Sequence, residues 1–352
     1  MDKVNVLVVS RLNFHPTFLK DIAAVDPRVS VKDAVKQFVD EMRKKGSKDV
    51  NLARLEQEIK VTPSSPGDFD KLLSEAEVIL GSVMFPENLL KRAPKLKWVH
   101  IANVGIDRYV AGTDLFKGNI TVTNSRGGVA VPIAEQVLTF MCMLAKNAPR
   151  LMADKEKRVW DRFITMELQD RVVGLVGLGA IASEVVRVAK GVGMKVIATK
   201  RSATRRQKNV DGVDELYPLK ELHQMIHDSD FLVIAAPLTD ETRGMIGEAE
   251  LRAMKPTAFL INIARGPIVN EPVLIRALKE KWIAGAGLDV FQTEPLPPES
   301  ELWGLPNVVM SSHMAGSSDR RSQRLIKLFC DDLKLYLAGK PLFNVVNLEK
   351  GY

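Results

Sequence analysis

The chain has 352 residues, 46% hydrophobic and 26% charged, an ordinary globular mixture that excludes wholesale disorder and fibrous structure. Lys and Arg number 50 against 43 acidic residues, a formal net charge of +7 spread along the chain. Nucleic-acid modules interleave cations with aromatics, but aromatics are 6% here and none sits in the one basic cluster, Lys200, Arg201, Arg205, Arg206 and Lys208, so no nucleic-acid partner is expected. The length suits about two domains. Two cysteines, Cys142 and Cys330, make no disulfide framework and point to a reducing compartment. No apolar run reaches the ~18 residues of a membrane span, and the opening MDKVNVLVVS reads as a strand without a signal-peptide pattern. A cytoplasmic protein with no membrane partner is the expectation.

In chain order, Val4 to Val9 is a β-rich run, and Val78 to Leu80, Trp98 to Ile101 and Ile120 to Val122 repeat the signal around helical stretches such as Pro86 to Ala93. That alternation predicts a small parallel sheet. Residues 31 to 60 stand apart. Val31, Val35, Phe38 and Met42 fall at helical spacing, and a Lys/Gly/Ser-rich break at Lys44 to Lys48 leads to a second helical run. The segment reads as an insertion of two amphipathic helices without chemistry of its own.

From Val131 to about Trp160 the pattern is helical, apolar first and charged later. Six strand signals then alternate with helices: Val172 to Val176, Met194 to Thr199, Phe231 to Ala236, Ala258 to Ile263, Ala286 to Val290 and Val308 to Ser311. Six strands with short crossovers describe a doubly wound dinucleotide-binding domain. Asp319 to Ala338 closes the pattern as one amphipathic helix.

The sharpest local signal is Gly177-Leu-Gly179-Ala180-Ile181-Ala182, a G-x-G-x-x-A fingerprint leaving a strand and entering a helix. Gly177 permits the tight turn, Gly179 lets the backbone approach a pyrophosphate, and Ala182 lets helix and strand pack. The helix start then offers unpaired N–H groups to the anion. An acidic residue about 20 positions on would hold the ribose hydroxyls of NAD. Here that place reads Thr199-Lys200-Arg201-Ser202, with no carboxylate before Asp211. Cations and a hydroxyl suit a 2′-phosphate, which Arg can hold bidentately, so NADP(H) is expected ahead of NAD.

Further stretches end the later strands: Ala235-Ala-Pro237-Leu-Thr239, Leu260-Ile-Asn-Ile263-Ala264-Arg265-Gly266, Gly287-Leu-Asp289 through Glu294-Pro295, and Ser312-His313-Met-Ala-Gly316. With the fingerprint, they resemble the D-isomer-specific 2-hydroxyacid dehydrogenase family, strongly from about Val172 to Gly316 and more weakly over Trp98 to Asp107 and Asn124 to Gln136. The resemblance implies an α/β chain of two doubly wound domains. A Rossmann cofactor domain, 125–316, would be inserted into a smaller flavodoxin-like substrate domain, 1–124 and 317–352, with the active site in the cleft between them. It also implies a homodimer joined through the helical stretch 131 to 160, and reversible NAD(P)-dependent reduction of a 2-oxo acid to a D-2-hydroxy acid.

Carried over residue by residue, the family places Arg265, Glu294 and His313 at the catalytic centre. A 2-oxo acid is a planar carboxylate beside a carbonyl, and the Arg265 fork suits both groups. The carbonyl oxygen must gain a proton, and His313 is the natural donor because imidazole titrates near neutral pH. Glu294 beside it would stabilise the protonated ring and fix its orientation. Asp289 would face the nicotinamide carboxamide, and the Val104 and Gly105 amides would hold the substrate carboxylate. Gly177, Gly179, Ala180, Ile181, Lys200, Arg201, Ser202, Pro237, Ile263, Ala264 and Gly316 complete the implied cofactor contacts. No metal is expected; His223 and His227 are four apart, yet nothing nearby completes a metal site and a helix surface is the expectation, and with His15 and His100 they read as structural.

A dinucleotide-sensing regulatory protein would keep the fingerprint without needing Arg265, Glu294 and His313 together, so it ranks below the enzyme. Formate, phosphite and phosphoglycerate dehydrogenases remain as alternatives within enzymes, although no extra regulatory domain is expected after residue 352. The substrate side chain is not legible in the loops expected to line the pocket, around Asn13 to Thr17, Gly81 to Phe85 and Ala102 to Gly105.

Overall fold

The computed structural model describes residues 3–11, 13–47, 50–61, 63–82, 84–106, 114–115 and 117–347. Val83 and Asp107, within stretches named above, lie outside the described residues, as do 1–2 and 348–352. The chain divides into two compact units, Met1–Gly128 with Ser318–Tyr352, and Val129–Ser317.

The first unit is built on a parallel sheet of β1 (Val4–Ser10), β2 (Val29–Asp33), β3 (Val78–Gly81), β4 (Trp98–Ile101) and β5 (Thr121–Asn124), in the order β2-β1-β3-β4-β5. This is the flavodoxin-like order. Helices on both faces bury a parallel sheet, which is why β3 and β4 are buried at every position. The helix Arg321–Leu337 turns Leu325, Ile326, Phe329, Cys330 and Leu333 inward at spacings of three and four. Phe329 stacks on Trp98 with ring centroids 5.1 Å apart. Beyond that helix the chain returns to the sheet edge, where Val345 bridges Thr123 and the Val346 N–H donates to the Val122 carbonyl at 2.9 Å.

The insertion differs from its sequence reading at one end. Val31 is not the head of a helix; it lies in edge strand β2, opposite Val6 of β1. Val29 and Val31 alternate at the period of a strand, and Asp33 then switches the chain, its Oδ1 accepting the Val35 N–H at 2.9 Å. Two helices follow, Val35–Lys44 and Val50–Val61. Asp33 is fully buried and paired with the buried Arg11 guanidinium at 2.6 Å. Glu58 of the second helix accepts the Asn13 N–H at 2.9 Å, so the insertion fastens the loop after β1.

The second unit holds eight strands, two more than the sequence pattern suggests. The order is β13-β12-β11-β10-β6-β7-β9-β8, with β6 (Val172–Val176), β7 (Lys195–Thr199), β10 (Phe231–Ile234), β11 (Phe259–Asn262), β12 (Gly285–Leu288) and β13 (Val308–Met310) at the expected places. The additions are β8 (Gln207–Val210) and β9 (Val213–Tyr217), an antiparallel hairpin beside β7, in a stretch that reads only as a basic cluster. All other pairings are parallel, and the strand order reverses between β6 and β10, the switch point where doubly wound sheets bind ligands. The helical pattern from Val131 is two helices, Ala130–Ala145 and Ala148–Lys157, broken at Asn147 with φ +52°.

His100 of β4 lies fully buried, its ring nitrogens 2.8 Å from Thr123 Oγ1 and 2.9 Å from Ser125 Oγ. Burial pushes its imidazole down to about 3. An unfolded histidine protonates at about 6.5, so between these values the unfolded chain binds the extra proton. Stability is therefore fully present above about pH 6.5 and is lost as pH falls toward 3, by up to ~1.4 kcal/mol per pH unit. Urea midpoints measured from about pH 7 down to about pH 5 should fall, and less steeply in His100→Gln; an equal slope in both proteins would clear His100 of the effect.

Candidate active site

β6 runs buried into Gly177, whose φ of +94° and close approach to Ala236 leave no room for a side chain; a Cβ would stand 3.0 Å from the Ala236 backbone. Gly179 precedes the helix Ala180–Gly191, and nothing lies within 4 Å of where its Cβ would be, so its backbone faces open space. Gly179 and Ala180 are exposed, Ile181 is half-buried, and Ala182 is fully buried where the helix meets the sheet. An open helix start at the β6/β10 switch point fits a dinucleotide pyrophosphate. Pro237 follows β10 across that switch point, its carbonyl accepting Thr242 Oγ1 at 2.7 Å.

β7 ends on Thr199, fully buried, and Lys200, Arg201 and Ser202 form the turn beyond it. Lys200 Nζ stands 2.7 Å from Asp211 Oδ2, and Arg201 pairs with Glu241 at 3.6 Å. The cations are where the sequence places them, and carboxylates distant in sequence accompany them.

The sharpest cluster joins the ends of β11, β12 and β13. His313 Nδ1 meets Glu294 Oε2 at 2.7 Å, and the other Glu294 oxygen accepts the Phe291 N–H at 3.2 Å. His313 itself is left-handed, φ +52°, and partly exposed. Asp289 sets that course. Its carboxylate, 2% exposed, accepts the Ser311 hydroxyl at 2.5 Å, the Met314 N–H at 2.9 Å and the Ala315 N–H at 3.0 Å, while its carbonyl accepts the His313 N–H at 2.8 Å. The Asp289 carboxylate is directed into the turn that carries the histidine.

Arg265 follows β11 and is half-buried, with Nη1 donating to the Ala264 carbonyl at 2.8 Å. Asn262 shapes that turn by accepting the Ala264 N–H and donating to the Arg265 carbonyl. Ile263 is buried beside it. The next residue, Gly266, packs directly on the loop before Glu294; a Cβ there would fall 1.9 Å from the Phe291 carbonyl. Arg265, Glu294 and His313 thus sit on segments held to one another. Gly316 lies three residues beyond His313, next to Val129.

Val104 and Gly105 belong to the first unit, in the loop after β4. Asn124 donates to the Val104 carbonyl at 2.9 Å, and Asn103 is held on both sides, donating to the Ser82 carbonyl and accepting Arg321 Nη2 at 2.8 Å. Asn103 and Arg321 carry no motif of their own, while Asn262 and Gly266 lie in the Leu260 to Gly266 stretch, whose motif marks Ile263, Ala264 and Arg265 as contacts and leaves the part of these two unmarked. Among the described residues no His, Cys, Asp and Glu group could hold a metal ion, and His223 and His227 are exposed beside Glu250 and Asp228.

Asp289→Asn tests the turn. An amide there presents N–H groups to backbone N–H groups, and each lost hydrogen bond to charge is worth about 1.5–3 kcal/mol. A lower Tm together with a lower kcat is expected. A variant matching the parent in both would show that the turn holds without the charge.

A family model described as "D-isomer specific 2-hydroxyacid dehydrogenase, NAD binding domain" matches residues 138–315. A glyoxylate reductase of Korarchaeum cryptofilum is 36% identical over 270 residues, covering 74% of this chain and 79% of the relative. A D-isomer specific 2-hydroxyacid dehydrogenase from Xanthobacter autotrophicus Py2, solved with NADPH and MES, superposes with a TM-score of 0.79 at 25% identity, over 99% of this chain and 100% of the other. The NADPH-dependent glyoxylate/hydroxypyruvate reductase from Sinorhizobium meliloti, solved with NADP and sulfate, gives a TM-score of 0.75 at 25% identity, over 99% and 100%. With the fingerprint at the switch point and the clustered strand ends, these matches establish that the chain belongs to the D-isomer-specific 2-hydroxyacid dehydrogenase family of NAD(P)-dependent oxidoreductases.

Proposed function

We propose that the protein reduces a small 2-oxo acid, glyoxylate or hydroxypyruvate, to the 2-hydroxy acid of D configuration where the product is chiral, using NADPH. The observation that carries this reading is the 2.7 Å contact between His313 Nδ1 and Glu294. With Nδ1 donating to the carboxylate, the proton on Nε2 is the one the ring can pass to a carbonyl oxygen. Bound nicotinamide supplies the hydride. Arg265 holds the substrate carboxylate and polarises the carbonyl. In the reverse direction His313 takes the proton back. Gly177, Gly179, Ala180, Ile181, Pro237, Ile263, Ala264 and Gly316 would line the cofactor, and Asp289 acts through the turn it holds. NADPH is supported by Lys200, Arg201 and Ser202, and by two similar structures that contain the phosphorylated cofactor. The substrate class is supported by the glyoxylate reductase relatives.

The same reading includes a cytoplasmic homodimer. Trp160 and Ile164, just past the helix Ala148–Lys157, are 92% and 100% exposed, and Leu151 and Met152 on that helix are exposed too. An apolar face of this kind is what a second copy of the chain covers. Cys142 and Cys330 are free thiols, and among the described residues no helix is long and apolar enough to cross a membrane. Sedimentation should return twice the chain mass for the parent and the chain mass for a Trp160→Asp, Ile164→Asp double variant; a monomeric parent would end the dimer proposal.

Turnover of glyoxylate, hydroxypyruvate, pyruvate and bulkier 2-oxo acids with NADPH and with NADH tests the reaction. His313→Gln should lose roughly 10²–10⁴-fold in kcat while still binding cofactor. Arg265→Lys should lose in both kcat and KM, because a point charge does not reproduce the bidentate fork. Near-parental turnover in His313→Gln would remove it as the proton donor. No turnover of any 2-oxo acid by the parent would favour the cofactor-sensing alternative.

A further inference from the structure

We propose that Asp211 is a specificity-determining residue of the dinucleotide site, and that it acts by engaging Lys200 and so lowering the preference for a 2′-phosphate. The proposal rests on the assignment of the Lys200–Ser202 turn to that phosphate.

β8 and β9 pair at Val210 and Val213, leaving Asp211 and Gly212 as a two-residue turn. Their φ values of +52° and +81° are both left-handed, the combination that the right-handed twist of a tight hairpin demands and that Asp-Gly supplies. The hairpin is anchored, because β9 pairs in parallel with β7 through Thr199 and Tyr217. Lys200 is the next residue after β7. Lys200 Nζ stands 2.7 Å from Asp211 Oδ2. The cation that a 2′-phosphate would use is already paired. A dinucleotide without that phosphate places no charge there and is indifferent to the pair. Both side chains are about two-fifths exposed, at 40% and 44%, so the effect is modest and screened by salt.

The conformation supplies a clean substitution. Asn tolerates the left-handed region as Asp does, and Gly occupies it freely, so Asp211→Asn and Asp211→Gly remove the carboxylate and keep the turn. Binding of adenosine 2′,5′-bisphosphate and of AMP is measured by calorimetry for the parent, both Asp211 variants, Lys200→Gln, and Lys200→Gln combined with Asp211→Asn. Both Asp211 variants should bind the bisphosphate about two- to fivefold more tightly, the range that a surface ion pair spans, with AMP unchanged. The gain should vanish in the Lys200→Gln background. The kcat/KM ratio of NADPH to NADH should rise by the same factor. No gain in either variant, an equal gain for AMP, or an undiminished gain without Lys200 would each overturn the proposal. A parent that binds the bisphosphate no better than AMP would instead count against the cofactor assignment, and the change on removing Asp211 reads separately from that baseline.

Discussion

One buried carboxylate organises the strand ends that carry Arg265, Glu294 and His313. A carboxylate removed from water costs several kcal/mol unless its oxygens are hydrogen-bonded, and Asp289 finds its donors in a single stretch, Ser311 to Ala315. Those bonds leave the chain one route past β13, and on that route His313 takes a left-handed conformation that a non-glycine residue rarely adopts unaided. The imidazole then projects to Glu294, whose own position is set by the Phe291 N–H. Gly266 closes the circuit from the other side, since only a residue without a Cβ lets the β11 end lie against the Phe291 carbonyl. The positions of Arg265, Glu294 and His313 are thus consequences of one satisfied charge and one close backbone approach.

Much of the second unit is legible in its sequence for a simple reason. Parallel strands buried on both faces are short continuous apolar runs, and β6, β10 and β11 announce themselves as such. The strands that escape notice are those without that burial. β8 reads Gln-Lys-Asn-Val and lies at the sheet edge, largely exposed, so nothing in its polarity marks it; the Asp-Gly pair between two valines was the available signal. β2 is likewise an edge strand, and its valines lend themselves to a helical period as well as to a strand. The fingerprint and the spaced strand ends make Arg265, Glu294 and His313 readable through family resemblance. Asn103 with Arg321, and Lys200 with Asp211, are pairs made by the fold, and neither partner predicts the other from sequence.

The basic cluster shows how a linear count of charge differs from a field. Over Lys200 to Lys208 every charged residue is a cation, yet Lys200 meets Asp211, Arg201 meets Glu241, and Arg206 meets Glu215 and Glu221 while its guanidinium lies 4.1 Å from the Tyr217 ring centroid. Exposed pairs of this kind add little stability. They shape the local potential, and with it how strongly an anion is drawn to this edge of the sheet.

The discontinuity of the first unit also bears on the order in which the protein is made. Trp98 waits for Phe329, and Glu77 for the Tyr336 hydroxyl 259 positions later, so a sheet that leaves the ribosome first cannot cover its face until the chain is nearly finished. The usual sequence, in which the earliest-made part folds earliest, is inverted. What makes late closure affordable is that Val129 and Gly316, at opposite ends of the second unit's sequence, are neighbours within it. Once that unit has folded, an intervening chain of its length behaves as a short link, and most of the entropy of joining the distant halves has already been lost. The cofactor-binding unit is in this sense a clasp: its two sequence ends stand together, and the helix that follows it in the chain belongs to the sheet that precedes it.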